Sequence, residues 1–100
     1  MRDIELHAPA NLFRGLEAVG GMLLITNEKL QFNPHSVNFQ RNPLEIRVED
    51  IAYIKKRLTW FFIPTGILIK LKSGREYKLV MWDRDRIIGR VNEAIKLSSS

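Results

Sequence analysis

The chain has 100 residues, of which 45% are hydrophobic and 27% are charged, with a formal net charge of +5 and no cysteine. This length suits one domain that buries about 60 to 70% of its unfolded surface. Without cysteine the chain has no disulfides or thiolate metal ligands, and no apolar run approaches the ~20 residues that span a bilayer. Residues 1–5 also lack the apolar core of a signal peptide. We therefore expect a single domain over residues 1–97, with residues 98–100 as a frayed tail.

The first predicted element is a β-hairpin. Residues 21–25 form an apolar strand, and a turn leads to a second strand at residues 30–32. Because the turn holds an even number of residues, four apolar side chains share one face. They form two facing pairs, Ile25 with Leu30 and Leu23 with Phe32. We predict that this face is core, and that Gly20 and Gly21 form the flexible start of the first strand.

The middle of the chain is predicted to hold one regular and one irregular strand. Residues 33–42 are interpreted as a loop or a poorly formed edge. Apolar and charged residues then alternate with the period of two that is typical of a strand with one face in water. The apolar residues of this pattern are Leu44, Ile46 and Val48. Ile51 and Ile54 lie three residues apart, which predicts a turn or bulge near Ala52.

A second hairpin is predicted around Ser73 and Gly74. A two-residue loop would mix apolar and charged side chains on both faces, whereas a three-residue loop, residues 72–74, separates them. Gly74 takes the left-handed conformation in that loop, since it has no Cβ. The predicted inner pairs are Ile67 with Leu79 and Ile69 with Tyr77, and the outer pairs are Lys70 with Glu76 and Leu68 with Lys78.

The chain ends in a predicted amphipathic helix, which is expected to close a barrel. Asp83 is the expected N-cap, and Asp85 adds negative charge to the first turn, where the helix dipole favours it. The apolar stripe consists of Ile87, Ile88, Val91 and Ile95. Gly89 costs about 1 kcal/mol relative to Ala inside a helix, which predicts a backbone segment or a bulky ring close to it. Strands first and one helix last predict an α+β fold with mostly antiparallel sheets.

The order and spacing of these elements, from Gly20 to Ala94, resembles a GRAM domain of the pleckstrin-homology-like superfamily. The matching elements are the opening hairpin at 21–32, the strand, acidic pair and isoleucine at 44–51, the segment 66–77, and the strand that ends near Trp82 before the helix. The resemblance implies a partly open barrel of two antiparallel β-sheets capped by a C-terminal α-helix. It also implies a module that binds membranes or proteins.

Positive charge is concentrated in the second half of the chain. Residues 1–50 hold five Lys or Arg and seven Asp or Glu, whereas residues 51–100 hold eleven and four. This one-sided field indicates an anionic partner. The candidate binding residues of this half are Lys55, Lys56, Arg57, Lys70, Lys72 and Lys78. A solvated strand surface is the alternative interpretation for the last three.

Three consecutive aromatic residues, Trp60, Phe61 and Phe62, follow the basic run and precede an Ile-Pro pair and Gly66. GRAM domains usually carry small residues before that pair, so these aromatics are particular to this chain. They could plug the open end of the barrel, insert into a membrane interface, or form a protein contact or homo-oligomer interface. We include them among the candidate membrane-binding residues.

Specific phosphoinositide recognition is not expected. Pleckstrin-homology domains that bind these lipids usually use basic residues in the loop between the first two strands. We take the corresponding region as residues 16–21, which hold no Lys or Arg. Lipid binding is therefore predicted to be generic for negative charge.

Other classes of function have less support. Basic and aromatic residues do not alternate along one strand face as a stacking platform requires, so nucleic acid is not an expected partner. His7 and His35 lack neighbours at metal-ligand spacing, and no nucleophile lies beside a base, so no metal, cofactor or catalytic residue is predicted. We therefore predict a non-enzymatic binding module in the cytoplasm, peripheral at the membrane. The expected partner is an anionic lipid surface, with a protein or a second copy as the alternative.

Overall fold

The computed structural model of the chain describes residues 5–15, 17–35, 42–59 and 63–99. These residues form strands, a short 3₁₀ turn (Val48–Asp50) and a C-terminal helix. The strands are β1 (Leu6–Arg14), β2 (Glu17–Ile25), β3 (Lys29–Pro34), β4 (Leu44–Arg47), β5 (Ile51–Thr59), β6 (Ile63–Leu71) and β7 (Glu76–Val80), and the helix is α1 (Arg84–Ser98).

The strands form one antiparallel, seven-stranded sheet with the order β4-β3-β2-β1-β7-β6-β5. The structure has one continuous sheet where two antiparallel sheets were expected, because β1 joins both halves. It pairs with β2 along its whole length and with β7 at Asn11–Val80 and Leu12–Leu79. Within the described residues β4 and β5 do not pair with each other, so the sheet stays open between them.

Strand β1 and the first half of β2 are absent from the sequence-based prediction. Residues 17–21 lie within β2 and pair with β1, so their assignment to a loop is wrong. Ala8, Ala10 and Leu12 are buried in a period-two pattern, but alanine and the intervening Pro9 have low strand propensity and hide the signal. The connection between the two strands is short and includes Gly15, whose φ is 64°.

Gly21 lies in the interior of β2 and is not a flexible strand start. A Cβ at this position would clash with the carbonyl oxygen of Asn33 and would lie 2.7 Å from Cζ of Phe32. Glycine is needed here because β3 and the Phe32 ring approach the backbone of β2 too closely for any side chain.

The predicted pairings of both hairpins are confirmed. Ile25 faces Leu30 and Leu23 faces Phe32, and all four side chains are buried. In the second hairpin the backbone N–H of Leu71 donates to the carbonyl of Arg75, so the loop has three residues and Gly74 has a φ of 100°. The four predicted pairs are observed as Ile67–Leu79, Ile69–Tyr77, Lys70–Glu76 and Leu68–Lys78.

The predicted irregularity near Ala52 is also confirmed. Ile51 pairs with Leu71 while Tyr53 pairs with Lys70, which makes Ala52 the extra residue of a β-bulge. The preceding strand β4 ends at Arg47, and Val48 enters the 3₁₀ turn. This turn is held at both ends by neighbouring turns. The N–H of Val48 donates to Glu28, and the carbonyl of Asp50 accepts from the N–H of Lys72.

Helix α1 packs on the sheet through Ile87, Val91 and Ala94, which are buried, while Ile88 and Ile95 are partly buried. Asp83 occupies the N-cap position, but its side chain makes no capping hydrogen bond and instead contacts Arg86 at 2.6 Å.

Gly89 does not have the close neighbour that was expected. It is exposed, and a Cβ there would have no atom within 4 Å. No helix in the described part of the chain has the length and apolar character needed to cross a bilayer.

Candidate anion-binding surface

The register of β5, β6 and β7 brings basic side chains onto the outer face of the sheet. Ile54, Ile69 and Leu79 are buried, so the residues that alternate with them project away from the core. We call this surface the basic face and define it by Lys55, Arg57, Lys70 and Lys78.

The basic side chains stand in adjacent rows of the sheet. Lys55, Leu68 and Lys78 lie side by side in one row, so the two lysines are about 10 Å apart at their Cα atoms. Arg57 pairs with Gly66 in the next row, and Lys70 lies between Tyr53 and Glu76 in the row on the other side. The spacing leaves each cation accessible to a separate anionic group.

Most of this charge is not cancelled by acidic neighbours. Lys70 contacts Glu76 at 3.2 Å, an exposed pair of the kind that contributes little to stability. Nζ of Lys55 lies 5.4 Å from the ring centre of Tyr53, in a cation–π geometry that preserves the charge. Among the described residues, Lys55, Arg57 and Lys78 have no carboxylate in ion-pair contact.

Lys56 lies on the other side of β5, because it pairs with the buried Ile67. Its Nζ contacts Oδ1 of Asp85 at 2.7 Å, which ties β5 to the first turn of α1. The hydrogen bond and charge of Lys56 lower the pKa of the Asp85 carboxyl below its ordinary value. Three consecutive basic residues are thus divided, with Lys55 and Arg57 on the basic face and Lys56 directed to the helix.

The loop that connects β6 and β7 adds further positive charge. The side chain of Lys72 is exposed there. Arg75 donates through Nη1 to the hydroxyl of Tyr77 at 3.4 Å, a bond that raises the pKa of this guanidinium. The turn lies next to the row of Lys70, so Lys72 adds charge at this end of the basic face. Arg75 instead shares the side of Tyr77, whose cross-strand partner is the buried Ile69.

Solved structures similar to this chain include two proteins with pleckstrin-homology domains. The N-terminal pleckstrin-homology domain of Vps36 matches with a TM-score of 0.68 and 16% identity, over 95% of this chain and 79% of that one. The fold is pleckstrin-homology-like. The linker and DH/PH domains of p115-RhoGEF match with a TM-score of 0.72 and 12% identity, over 95% of this chain but 30% of that longer chain.

A further structural neighbour is the C-terminal domain of an unknown protein from Leishmania infantum. It matches with a TM-score of 0.80 and 18% identity, over 93% of this chain and 84% of that chain. No protein-family model and no curated protein matches the chain. At these identities the likeness shows the fold alone.

In this pleckstrin-homology-like fold, the loop between the first two strands lies elsewhere than predicted. Strand β1 ends at Arg14 and β2 begins at Glu17, and neither of the two residues between them in the sequence is basic. The guanidinium of Arg14 donates to the carbonyl of Asn42. The prediction that lipid binding is generic for negative charge remains a prediction.

The predicted aromatic residues Trp60, Phe61 and Phe62 lie outside the described residues. Their membrane-facing, barrel-plugging and protein-contacting interpretations therefore remain open.

Sequence reasoning missed two other aromatic residues, Tyr53 and Trp82, which are 41% and 93% exposed. A signal was available for the first, since Tyr53 lies two and four residues before Lys55 and Arg57 and therefore shares their face of the strand.

A second surface feature is a polar groove of about 710 Å³ between the β2–β3 turn, β4 and the end of α1. Both cations of the groove contact carboxylates, with Lys29 3.3 Å from Glu45 and Arg47 2.9 Å from Glu49, and Glu28 adds a further negative charge. Among its described residues the groove therefore has no positive charge free of an acidic neighbour to offer an anion.

The two histidines occupy separate, exposed positions. His7 lies 3.5 Å from Glu5, and His35 adjoins Gly20, to whose carbonyl its backbone N–H donates. In residues 5–15, 17–35, 42–59 and 63–99, no three His, Asp or Glu side chains gather as a metal site would require.

Proposed function

We propose that this chain is a non-catalytic binding module that attaches peripherally to anionic membrane surfaces through the basic face. The observation that carries the proposal is the strand register, which places Lys55, Arg57, Lys70 and Lys78 on one exposed surface. Membership of the GRAM family within the pleckstrin-homology-like superfamily is part of this proposal and rests on the sequence resemblance. A cytoplasmic location, with reversible association at the membrane, follows from it.

The expected affinity is modest and sensitive to salt. Each Lys or Arg near an anionic leaflet contributes about 1 kcal/mol, and the field decays within a Debye length of about 8 Å at physiological ionic strength. Lys55, Arg57 and Lys78 lack acidic partners among the described residues and carry most of this attraction. Lys72 adds to it from the adjoining loop, whereas Lys56 is engaged by Asp85.

The aromatic residues Trp60, Phe61 and Phe62 belong to the proposal as candidate inserting side chains. They follow the basic residues of β5 directly in sequence. One ring buried in the interface would add about 1.5 to 3 kcal/mol to an electrostatic attachment. Their contribution is tested by replacing Trp60 and Phe61 with serine in vesicle sedimentation.

The test of the basic face is vesicle co-sedimentation with a charge-matched control. The variant Lys55→Gln/Lys78→Gln removes two charges from the face, while Lys56→Gln/Lys96→Gln removes two charges from outside it. On vesicles rich in phosphatidylserine at low salt, we expect the first variant to lose about 2 kcal/mol of binding, a factor of about 30. The control should bind much closer to wild type.

Two results would contradict the proposal. Equal losses for the two variants would show attraction to net charge without a defined face. Absence of sedimentation with any vesicle at any salt concentration, for a folded protein, would remove the membrane partner altogether.

Docking to a protein or to a second copy is the second candidate function. The 93% exposure of Trp82 supports it, since exposed aromatic side chains also serve protein interfaces. Such binding would depend on apolar contact and would persist at high salt. Light scattering across a concentration series tests self-association, and pull-down at high salt tests a protein partner.

A further inference from the structure

Two large hydrophobic side chains are exposed among the described residues, and both adjoin the basic face. They are Tyr53, with 41% of its surface accessible, and Trp82, with 93%. The other large apolar side chains whose burial the structure describes are buried or partly buried. Tyr53 and Trp82 lie beside cations that have no carboxylate partner among the described residues, and this combination suits a ligand that accepts both charge and aromatic rings.

The strand register sets the two aromatic residues at opposite ends of the face. Tyr53 pairs with Lys70, at the end near the β6–β7 loop. At the other end, Val80 pairs with Gly66, and Trp82 follows two residues later. Buried Leu79 and Met81 alternate with Val80 and Trp82, so the outward direction of β7 continues to the tryptophan.

The exposure of Trp82 is imposed by fixed neighbours on both sides. Met81, which precedes it, is 3% exposed and anchored in the core. Arg84, two residues later, donates through Nη1 to the carbonyls of Arg57 and Gly66 at 3.2 and 3.3 Å. These bonds hold the start of α1 against β5 and β6. The indole is therefore presented by an anchored backbone at the Arg57 end of the basic face.

The combination of cations and exposed aromatic rings favours a bilayer interface over a soluble polyanion as the ligand. A soluble polyanion would gain from the lysines and arginine but would leave the indole in water. The interface of a bilayer satisfies both groups, because Trp and Tyr favour the headgroup level and cations favour an anionic leaflet. From Tyr53 to Arg57 the face is about 13 Å long, and it is about 10 Å wide across three strands.

We infer that the partner of the basic face is the interface of an anionic bilayer, with Tyr53 and Trp82 inserted at headgroup level at its two ends. This inference rests on the proposed function and makes it more specific. The outer surface of β5, β6 and β7 then lies along the membrane, with contacts distributed over the face.

Fluorescence of Trp82 tests the inference directly. The chain has two tryptophans, so Trp60→Phe leaves Trp82 as the single reporter. With vesicles that contain phosphatidylserine we expect a blue shift, protection from acrylamide and quenching by brominated lipid. Heparin, a soluble polyanion, should bind the same protein without any of these changes. Sedimentation of the same samples reports how much protein is bound.

A second variant tests the energetic role of the rings. Tyr53→Ser/Trp82→Ser removes two exposed side chains, and circular dichroism checks that the fold persists. We expect vesicle partitioning to fall about tenfold or more, since apolar insertion is lost, while heparin affinity stays within about twofold of wild type.

The outcomes separate this inference from the proposed function. Protein that sediments with anionic vesicles while Trp82 emission and acrylamide access stay unchanged would overturn the inference and leave the proposed function intact. Unchanged partitioning of Tyr53→Ser/Trp82→Ser would do the same. Absence of binding to every vesicle would overturn both.

Discussion

The basic face and the polar groove both carry lysine and arginine, but they differ in how these side chains are paired. In the groove, Glu45 and Glu49 lie in contact with Lys29 and Arg47. On the basic face, the register places Leu68 between Lys55 and Lys78, so neither cation faces an acid. Cross-strand neighbours, more than the number of charges, decide which surface keeps a field that can attract a ligand.

The largest expected effect concerns the β2–β3 hairpin, whose turn forms one wall of the groove. Gly21→Ala places a methyl group against Phe32 and the backbone of Asn33. We expect the free energy of unfolding to fall by about 2 to 3 kcal/mol, since overpacking forces the strands apart. Urea denaturation followed by circular dichroism measures it.

The neighbouring glycine provides the control for this change. A Cβ at Gly20 would meet the movable Asn11 side chain at 3.3 Å, so Gly20→Ala should cost much less. Equal costs for the two variants would show that loss of glycine flexibility, and not the close approach of β3, is responsible.

A smaller expected effect is tighter binding to anionic vesicles when an acidic residue is removed from the basic face. It tests the difference between the basic face and the groove. Glu76→Gln removes the carboxylate that contacts Lys70 on the basic face and frees this lysine. We expect about 1 kcal/mol tighter attachment to anionic vesicles, about fivefold. Glu45→Gln makes the same change of net charge in the groove and should alter vesicle binding less. A larger gain for Glu45→Gln would place the membrane contact at the groove.

Helix α1 connects the two regions, with Arg84 on β5 and β6 and Ser98 in the groove. Its exposed Gly89 has no neighbour that an added methyl group would touch. We expect Gly89→Ala to stabilise the fold by about 0.5 to 1 kcal/mol, because alanine has the higher helix propensity. Thermal unfolding checks this. Lower stability for the variant would indicate a packing role for the glycine.

The smallest expected effect is the pH dependence of the contact between Lys56 and Asp85. The folded-state pKa of Asp85 is lowered, so its contribution to stability is present above the ordinary pKa of an aspartate and is lost as pH falls through the lowered value. Lys56→Gln should return the Asp85 pKa toward its ordinary value, as measured by carboxyl NMR titration. An unchanged pKa in that variant would mean that Lys56 does not cause the shift. The basic face should be unaffected, since Lys56 lies on the other side of β5.

Local pairing was predictable, whereas long-range pairing was not. Both hairpin registers and the bulge at Ala52 follow from alternation and turn residues that lie close together in the chain. Strand β1 was not predicted, because the residues that it turns toward the core at Ala8 and Ala10 give a weak apolar signal. Its second partner, β7, is also distant in sequence, and no short-range pattern specifies that contact.

The properties of the candidate site also fall into those that the sequence predicted and those that it did not. The sequence by itself determined the excess of positive charge after residue 50 and the outward positions of Lys70 and Lys78 in the second hairpin. The register of β5 against β6, which adds Lys55 and Arg57 to the same face, came from the structure. Only the tertiary structure decided that Lys56 contacts Asp85, that Gly21 has no room for a side chain, and that Trp82 stands in solvent at the end of the basic face. These properties depend on where α1 and β3 pack. Packing between segments that are distant in sequence is determined by the whole fold, so a local sequence pattern does not specify it.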